Sequence, residues 1–306
     1  MKRRFYTLDV FTERRLAGNP LAVVLDSSGL DTDAMLTITR EFNLSETVFV
    51  SPPADPVNTA ALRIFTPAVE MPFAGHPTIG TAVLLASLEA PDMMSSSGGI
   101  VVALEEKIGL VKVEVSAQKG RAARGVFRVP KLSELVPWTP DLPLAARALG
   151  LDPLDIGFGA HALSCWSAGV PYVFCPVKGL EAIGRARVAD MEAWRAAFGW
   201  NGKGSVYLYT KETTRPDHHV HARMFTPLTG VMEDPATGSA AAAFAGAAVA
   251  FERPDSGWHQ LVIEQGYEMG RPSQIVLDVD VAGGRLTDAR IGGAAVIVSQ
   301  GTIETE

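Results

Sequence analysis

The stretch RIFTPAVEMPFAGHPTIGTA, residues 63–82, decides how this chain is read, because residues 223–243 answer it with RMFTPLTGVMEDPATGSAAAA. Both open on Arg-x-Phe-Thr-Pro, and both pass through a proline and a glycine into a run of small apolar residues. Arg63 and Arg223 are 160 residues apart, while Gly75 and Gly238 are 163 apart, so the second copy carries three extra residues. That offset is too long for a solenoid repeat and fits a duplicated domain. A two-fold arrangement of the halves would turn the two loops toward each other, and domain interfaces are favoured pocket sites.

Working outward, FYTLDVFT (5–12) and LAVVLD (21–26) read as strands joined by a loop that holds Gly18, Asn19 and Pro20. DTDAMLTITREFN (31–43) has an acidic start and helical spacing. ETVFVSPP (46–53) and AALRIFTP (60–67) read as strands, HPTIGTAVLLASL (76–88) as a helix, and GGIVVALEEKIGLVKVEVSA (98–117) as a hairpin followed by the strand RGVFRVPK (124–131). The order then partly repeats. LSELVPWTPDLPLAARALGL (132–151) and DMEAWRAAFGW (190–200) read as helical; YVFCPV (172–177), SVYLYTK (205–211) and HVHARMFTP (219–227) read as strands; GSAAAAFAGAAVAF (238–251) reads as a helix. Three strand-like runs, 260–266, 273–281 and 293–304, close the chain. The helices after Gly75 and Gly238 are apolar on every side, which predicts that each is buried.

A chain of 306 residues has room for two domains of about 150. With 47% hydrophobic and 20% charged residues the composition is that of an ordinary globular protein. A net charge of −7 argues against a nucleic-acid or anionic-membrane surface. No apolar run reaches the roughly 18 residues of a membrane span, and the basic start is broken by polar residues before any signal core forms. The expectation is a cytoplasmic protein. Cys165 and Cys175 fit no common zinc or redox spacing and read as buried strand thiols. His218, His219 and His221 cluster, but strand alternation would put 219 and 221 on one side and 218 on the other, so no metal site is expected.

The two turns have chemical potential of their own. Gly75 and Gly238 permit close backbone approach, and a buried helix start presents free N–H groups and partial positive charge to a carboxylate or phosphate. Pro77 suits the first helical turn, and Ser239 is a favoured cap type. His76 can act as acid, base or donor. Asp234 stands in an Asp-Pro turn pair, which is equally at home as a capping residue. In FNLSETVFV, Ser45 and Glu46 precede an apolar strand, and a carboxylate there, if buried, has a raised pKa suited to carrying a proton. Read singly, each of these residues is as well explained by an ordinary structural role.

Taken in order, these segments resemble the PhzF family, the phenazine-biosynthesis isomerase and its homologues, over essentially the whole chain. The resemblance runs through DVFTERRLAGNPLAVV, FNLSETVFV, the two quoted stretches, EQGYEMGRPSQI and GGAAVIVSQGTI. It implies an α/β (α+β) diaminopimelate epimerase-like fold of two pseudo-symmetric halves, each a curved mixed sheet around a central buried helix. The expected division is 1–118 plus 286–306, carrying Glu46 and His76, and 119–285, carrying Asp234 and Ser239.

The resemblance further implies Glu46 as catalytic acid/base, with His76 and Asp234 completing the catalytic set. Asn19, Ser45, Gly75, Gly238 and Ser239 are then substrate-binding. It implies no cofactor and no metal, a small carboxylate-bearing substrate, and a homodimer. Two-thiol epimerases of this fold carry a cysteine at each turn; here Ala74 and Thr237 hold those places. Neither can be a thiolate base, which favours isomerisation. An epimerase or dehydratase on the same site, or a non-catalytic metabolite-binding protein, are the alternatives.

Overall fold

The structure is a computed structural model that describes residues 1–95 and 98–305. The chain divides into two compact units, Met1–Arg128 with Gly292–Glu306, and Val129–Ile291. The first boundary falls later than residue 118 because the strand at 124–128 pairs with the preceding hairpin and belongs with it, and the second falls at 291, six residues later than 285.

The first unit contains β1 (Lys2–Val10), β2 (Asn19–Val24), α1 (Thr32–Phe42), β3 (Glu46–Ser51), β4 (Ala60–Phe65), β5 (Glu70–Met71), α2 (Gly75–Glu89), α3 (Pro91–Met94), β6 (Ile100–Glu106), β7 (Gly109–Ser116) and β8 (Arg124–Arg128). The second contains β9 (Glu134–Val136), α4 (Leu142–Leu149), β10 (Ser164–Ser167), β11 (Pro171–Pro176), α5 (Gly179–Arg185), α6 (Met191–Phe198), β12 (Val206–Thr210), β13 (Val220–Thr226), β14 (Val231–Asp234), α7 (Gly238–Glu252), β15 (Gly257–Gln265) and β16 (Ser273–Ala282). The last strand, β17 (Arg285–Glu304), begins in the second unit and ends in the first.

In the first unit, pairing runs from β1 to β2, β3, β4, β6, β7 and β8, and β17 joins β8 back to β1. The sheet therefore curls round on itself, and α2 touches β1, β2, β3, β6, β7 and β8 from inside. This is why the sequence of α2 has no polar face: residues 75–86 are all buried. Outside, Met35 and Ile38 of α1 pack on Phe49 and Phe65.

The second unit repeats the plan. Its strands pair in the order β9, β10, β11, β12, β13, β15, β16, with the β11–β12 and β13–β15 pairs parallel, as β2–β3 and β4–β6 are in the first. Buried α7 packs on β9, β10, β11 and β16. On the opposite face α4, α5 and α6 enclose a core around Trp194 and Phe198.

Three segments depart from the sequence reading. Residues 134–136 form strand β9, and the helix in that stretch covers only Leu142–Leu149, capped by Asp141. Pairing with β10 captures a segment whose two prolines, Pro137 and Pro140, bar a longer helix. Asn19 and Pro20 lie in β2, not in the loop, because Gly18 at φ +66° completes the turn before them. A Cβ there would strike the carbonyl oxygen of Val10.

The histidines are arranged differently too. His218 and His221 share the carboxylate of Glu264, at 2.6 and 2.9 Å, while His219 reaches Glu252 at 3.0 Å. Alternation fails because β13 begins only at Val220, leaving His218 in the preceding turn. Cys165 and Cys175 are fully buried in β10 and β11. Among the described residues, no helix is long and apolar enough to cross a membrane.

Candidate active site

Each half places its polar residues at the start of its central helix. In the first, β4 ends in Arg63-Ile64-Phe65, and the Arg63 guanidinium donates to both oxygens of Glu70 at 2.8 and 3.0 Å. This clamp closes the loop that delivers Ala74 and Gly75 to the helix. The second half repeats it, with Arg223 donating to Glu233 at 2.8 and 2.9 Å. Both arginines also lie over the phenylalanine two residues on, at 5.0 and 4.7 Å. The Arg-x-Phe-Thr-Pro motif is thus a brace that sets the helix entrance.

Neither helix start has a side-chain cap: Ala74 cannot supply one, and Thr237 makes none. Thr237 spends its hydroxyl on a short bond to the Asp234 carboxylate. Helix N-termini left uncapped and turned into a protein favour anionic groups.

In the first half, Glu46 opens β3, and its Oε2 lies 3.3 Å from Nε2 of His76, the second residue of α2. Their side chains are 18% and 6% exposed. Burial drives the His76 pKa down to about 3. A neighbouring carboxylate acts the other way, but loss of hydration is the larger effect, so the ring is neutral near pH 7. The contact is therefore imidazole to carboxyl, not an ion pair. Asn19, wholly buried, starts the neighbouring strand β2, which runs parallel to β3. Ser45 stands half-buried in the bend just before Glu46.

The second half brings Asp234, Gly238 and Ser239 together. Asp234 ends β14, and its backbone carbonyl accepts from Gln265 Nε2 at 2.8 Å. Gly238 is the first helical residue and Ser239 the second. Ser239 does not cap the helix; its hydroxyl lies 2.7 Å from that of Tyr172 on β11.

Strand register shows how far the halves have diverged. Thr47 pairs with Phe65 and Val206 with Phe225, so Glu46 corresponds to Ser205. Ser205 is bonded to Thr226 Oγ1 at 2.9 Å. His76 corresponds to Ser239, one residue after each glycine, and Asp234 to Met71, since these face Met224 and Ile64. Of the two helix entrances, only that of α2 carries a carboxyl–imidazole pair among the described residues.

Three residues near these helix starts escaped the sequence reading: Tyr172, Glu106 and Gln265. Strand phase carried the signal for Glu106, which follows Val102 and Leu104 on the core-facing side of β6. Tyr172 gives no such signal, because its bond to Ser239 joins elements 67 residues apart.

A curled sheet around a buried helix, made twice, with a carboxyl–imidazole pair at the entrance of α2, defines an epimerase-like fold. The chain belongs to the phenazine biosynthesis-like (PhzC-PhzF) family, whose model matches residues 8–301. It is 52% identical to an uncharacterized isomerase of Mesorhizobium japonicum, over 99% of both chains. It is 30% identical to the trans-2,3-dihydro-3-hydroxyanthranilate isomerase of Pseudomonas aeruginosa, over 97% of this chain and 98% of that one. A PhzF-family protein of Bacillus anthracis has the same fold, with a TM-score of 0.87 at 24% identity over 100% of both chains. The protein is a PhzF-like isomerase.

Proposed function

We propose that this isomerase moves a C–H proton on a small carboxylate-bearing metabolite, without a cofactor, and that Glu46 alone takes the proton and returns it. The observation that carries the reading is the Glu46–His76 contact at the entrance of α2, with Ser205 in the corresponding place of the second half. One carboxylate can move a proton from carbon to carbon on one face of a substrate. Inverting a centre calls for a second group on the other face.

No thiol substitutes for it. Burial pushes the Cys165 pKa up to about 12 and raises that of Cys175 as well, and both lie in strands, not at the helix-entrance positions that Ala74 and Thr237 hold. In this reading the neutral His76 ring hydrogen-bonds the substrate beside Glu46, and the Gly75 N–H, Ser45 and Asn19 hold its polar groups. Asp234, Gly238 and Ser239 are proposed as the site residues of the second half, at the entrance of α7. The homodimer implied by the family resemblance belongs to the same proposal, and sedimentation equilibrium checks it.

The test is turnover in D2O followed by NMR. The first compound is trans-2,3-dihydro-3-hydroxyanthranilate, which the name of the Pseudomonas aeruginosa relative specifies; a panel of small unsaturated carboxylates follows. The expected result is deuterium at the carbon that gains the proton, together with a shifted double bond. Glu46→Gln should bind as before and lose about two to four orders of magnitude in rate. Near-normal turnover in that variant would assign the proton to another group. Exchange without a shifted double bond would mark an epimerase.

A further inference from the structure

Glu106, the last residue of β6, is 8% exposed and has no place in the chemistry above. Its Oε1 lies 2.7 Å from Thr78 Oγ1, and Thr78 Oγ1 also lies 2.8 Å from the carbonyl oxygen of Ala74. Thr78 has a single hydroxyl hydrogen for two oxygen neighbours. Both contacts are complete only if Thr78 donates to Ala74, as helical threonines commonly do, while Glu106 donates its own carboxyl proton to Thr78. The other oxygen, Oε2, is buried with no hydrogen-bond partner, an arrangement a neutral acid tolerates far better than an anion.

The second half supplies an independent comparison. Ala61 pairs with Glu105 as His221 pairs with Glu264, so Glu106 corresponds to Gln265. Gln265 is a neutral amide that ties down the entrance of α7: it accepts from Thr237 N at 3.1 Å and donates to the Asp234 carbonyl at 2.8 Å and to Thr237 Oγ1 at 3.1 Å. A protonated glutamic acid has nearly the shape of glutamine and can do similar work. Unlike glutamine, it can lose its proton.

We propose that Glu106 is a positioning residue of the first helix entrance: as the neutral acid it holds Thr78, and through the first turn of α2 it sets the place of His76. Ionisation of Glu106 releases that hold and puts an uncompensated negative charge beside the helix start, where the substrate's own carboxylate is to bind. The inference rests on the reading of His76 as a site residue.

The surroundings agree. Burial raises the Glu106 pKa to about 8. On α2, which packs against β6, the buried titratable group is His76, and Glu46 of β3 lies 3.3 Å from it. β4 presents Leu62 and Ile64 inward, and β7 presents Val111, Val113 and Val115. Arg63 faces outward to Glu70, Glu105 outward to Ala54, Asp55 and Asn58, and Lys107 toward Glu70.

The experiment reads the His76 ring by NMR from pH 6 to 9.5, with its signals assigned by their loss in His76→Gln. Wild type should show a step in the His76 ring shifts centred near pH 8, and Glu106→Gln should remove it. Thr78→Val should also remove it, while Thr78→Ser keeps it, so the proposal stays testable if one variant folds poorly. In parallel, kcat/KM on any carboxylate that turns over should fall about tenfold per pH unit above pH 8 in wild type and stay level in Glu106→Gln. A flat His76 titration in wild type, or a step that survives in Glu106→Gln, overturns the inference. Absence of turnover with an intact NMR step would instead count against the enzymatic reading alone.

Discussion

Arg223 grips Glu233 through two bonds of 2.8 and 2.9 Å and uses its remaining nitrogen to donate to the carbonyls of Ile183 and Ala186, at 2.9 and 2.8 Å. The guanidinium is 8% exposed and therefore ties the entrance of α7 to the end of α5. Its counterpart Arg63 is 34% exposed and, among the described residues, bonds Glu70 and Thr32.

Removing one member of a buried, fully bonded pair strands the other, at a cost of about 3 kcal/mol or more. At a half-open pair the loss is nearer 1 kcal/mol. Arg223→Gln is therefore expected to destabilise the protein about three times as much as Arg63→Gln, measured as the shift in urea midpoint at constant m-value. Equal shifts would mean that the carbonyl contacts of Arg223 contribute nothing.

The His221–Glu264 pair makes stability depend on pH. Burial alone would lower the His221 pKa, but hydrogen bonds to Glu264 and Glu268 outweigh it and hold it at about 9, above an ordinary 6.5. Burial would raise Glu264, but hydrogen bonds from His221, Thr214 and His218 bring it to about 2, below 4.5. A raised histidine contributes fully below pH 6.5 and loses its contribution as pH climbs through about 9. A lowered glutamate contributes fully above pH 4.5 and loses its contribution as pH falls through about 2. Unfolding free energy should fall between pH 6.5 and 9.5, and His221→Leu should flatten that slope while costing about 3 kcal/mol at pH 6. A slope unchanged in the variant would assign the effect elsewhere.

Glu106 acts in the same direction over a different window. Its raised pKa means that the stability it contributes is complete below pH 4.5 and is lost as pH rises through about 8. Glu106→Gln should match wild type in melting temperature near pH 5 and exceed it near pH 8.5. Parallel melting curves across that range would show that Glu106 carries no raised pKa.

Gly246 lies within α7, where a Cβ would come 2.5 Å from Ser133 Oγ and 2.6 Å from Trp166 Cε3. Alanine favours helices by close to 1 kcal/mol over glycine, yet overpacking a filled site costs typically 1–3 kcal/mol. Gly246→Ala should thus destabilise, with a lower melting temperature by calorimetry. A gain in stability would show that Trp166 can move aside.

Tyr172→Phe tests Ser239 with little risk to the fold. It deletes the 2.7 Å contact between the two hydroxyls and leaves the packing of the ring in place. One neutral hydrogen bond is worth about 1 kcal/mol, so KM should rise roughly fivefold with kcat nearly unchanged. A change confined to kcat would place Tyr172 in the chemistry itself.

The sequence by itself determined the duplication, because Arg-x-Phe-Thr-Pro and the all-apolar helices after Gly75 and Gly238 are local patterns with local causes. A helix with no polar face must be enclosed, and each of these is. The regular strands were legible for the same reason, since alternation in VVALEE or VKVEVS follows from the two faces of one sheet.

Elements that depend on a distant partner were not legible: β9 exists because β10 pairs with it, and the strand β10 and helix α5 carry too short a pattern to stand out. The histidines of DHHVHAR were sorted not by alternation but by Glu264, more than 40 residues away. Likewise, sequence proposed Glu46 and His76 separately, and tertiary structure alone put 3.3 Å between them. It alone made Glu106 a buried acid while its neighbour Glu105 caps an exposed turn. Burial and partnership set what an ionisable group does, and both are properties of the folded chain, not of residue order.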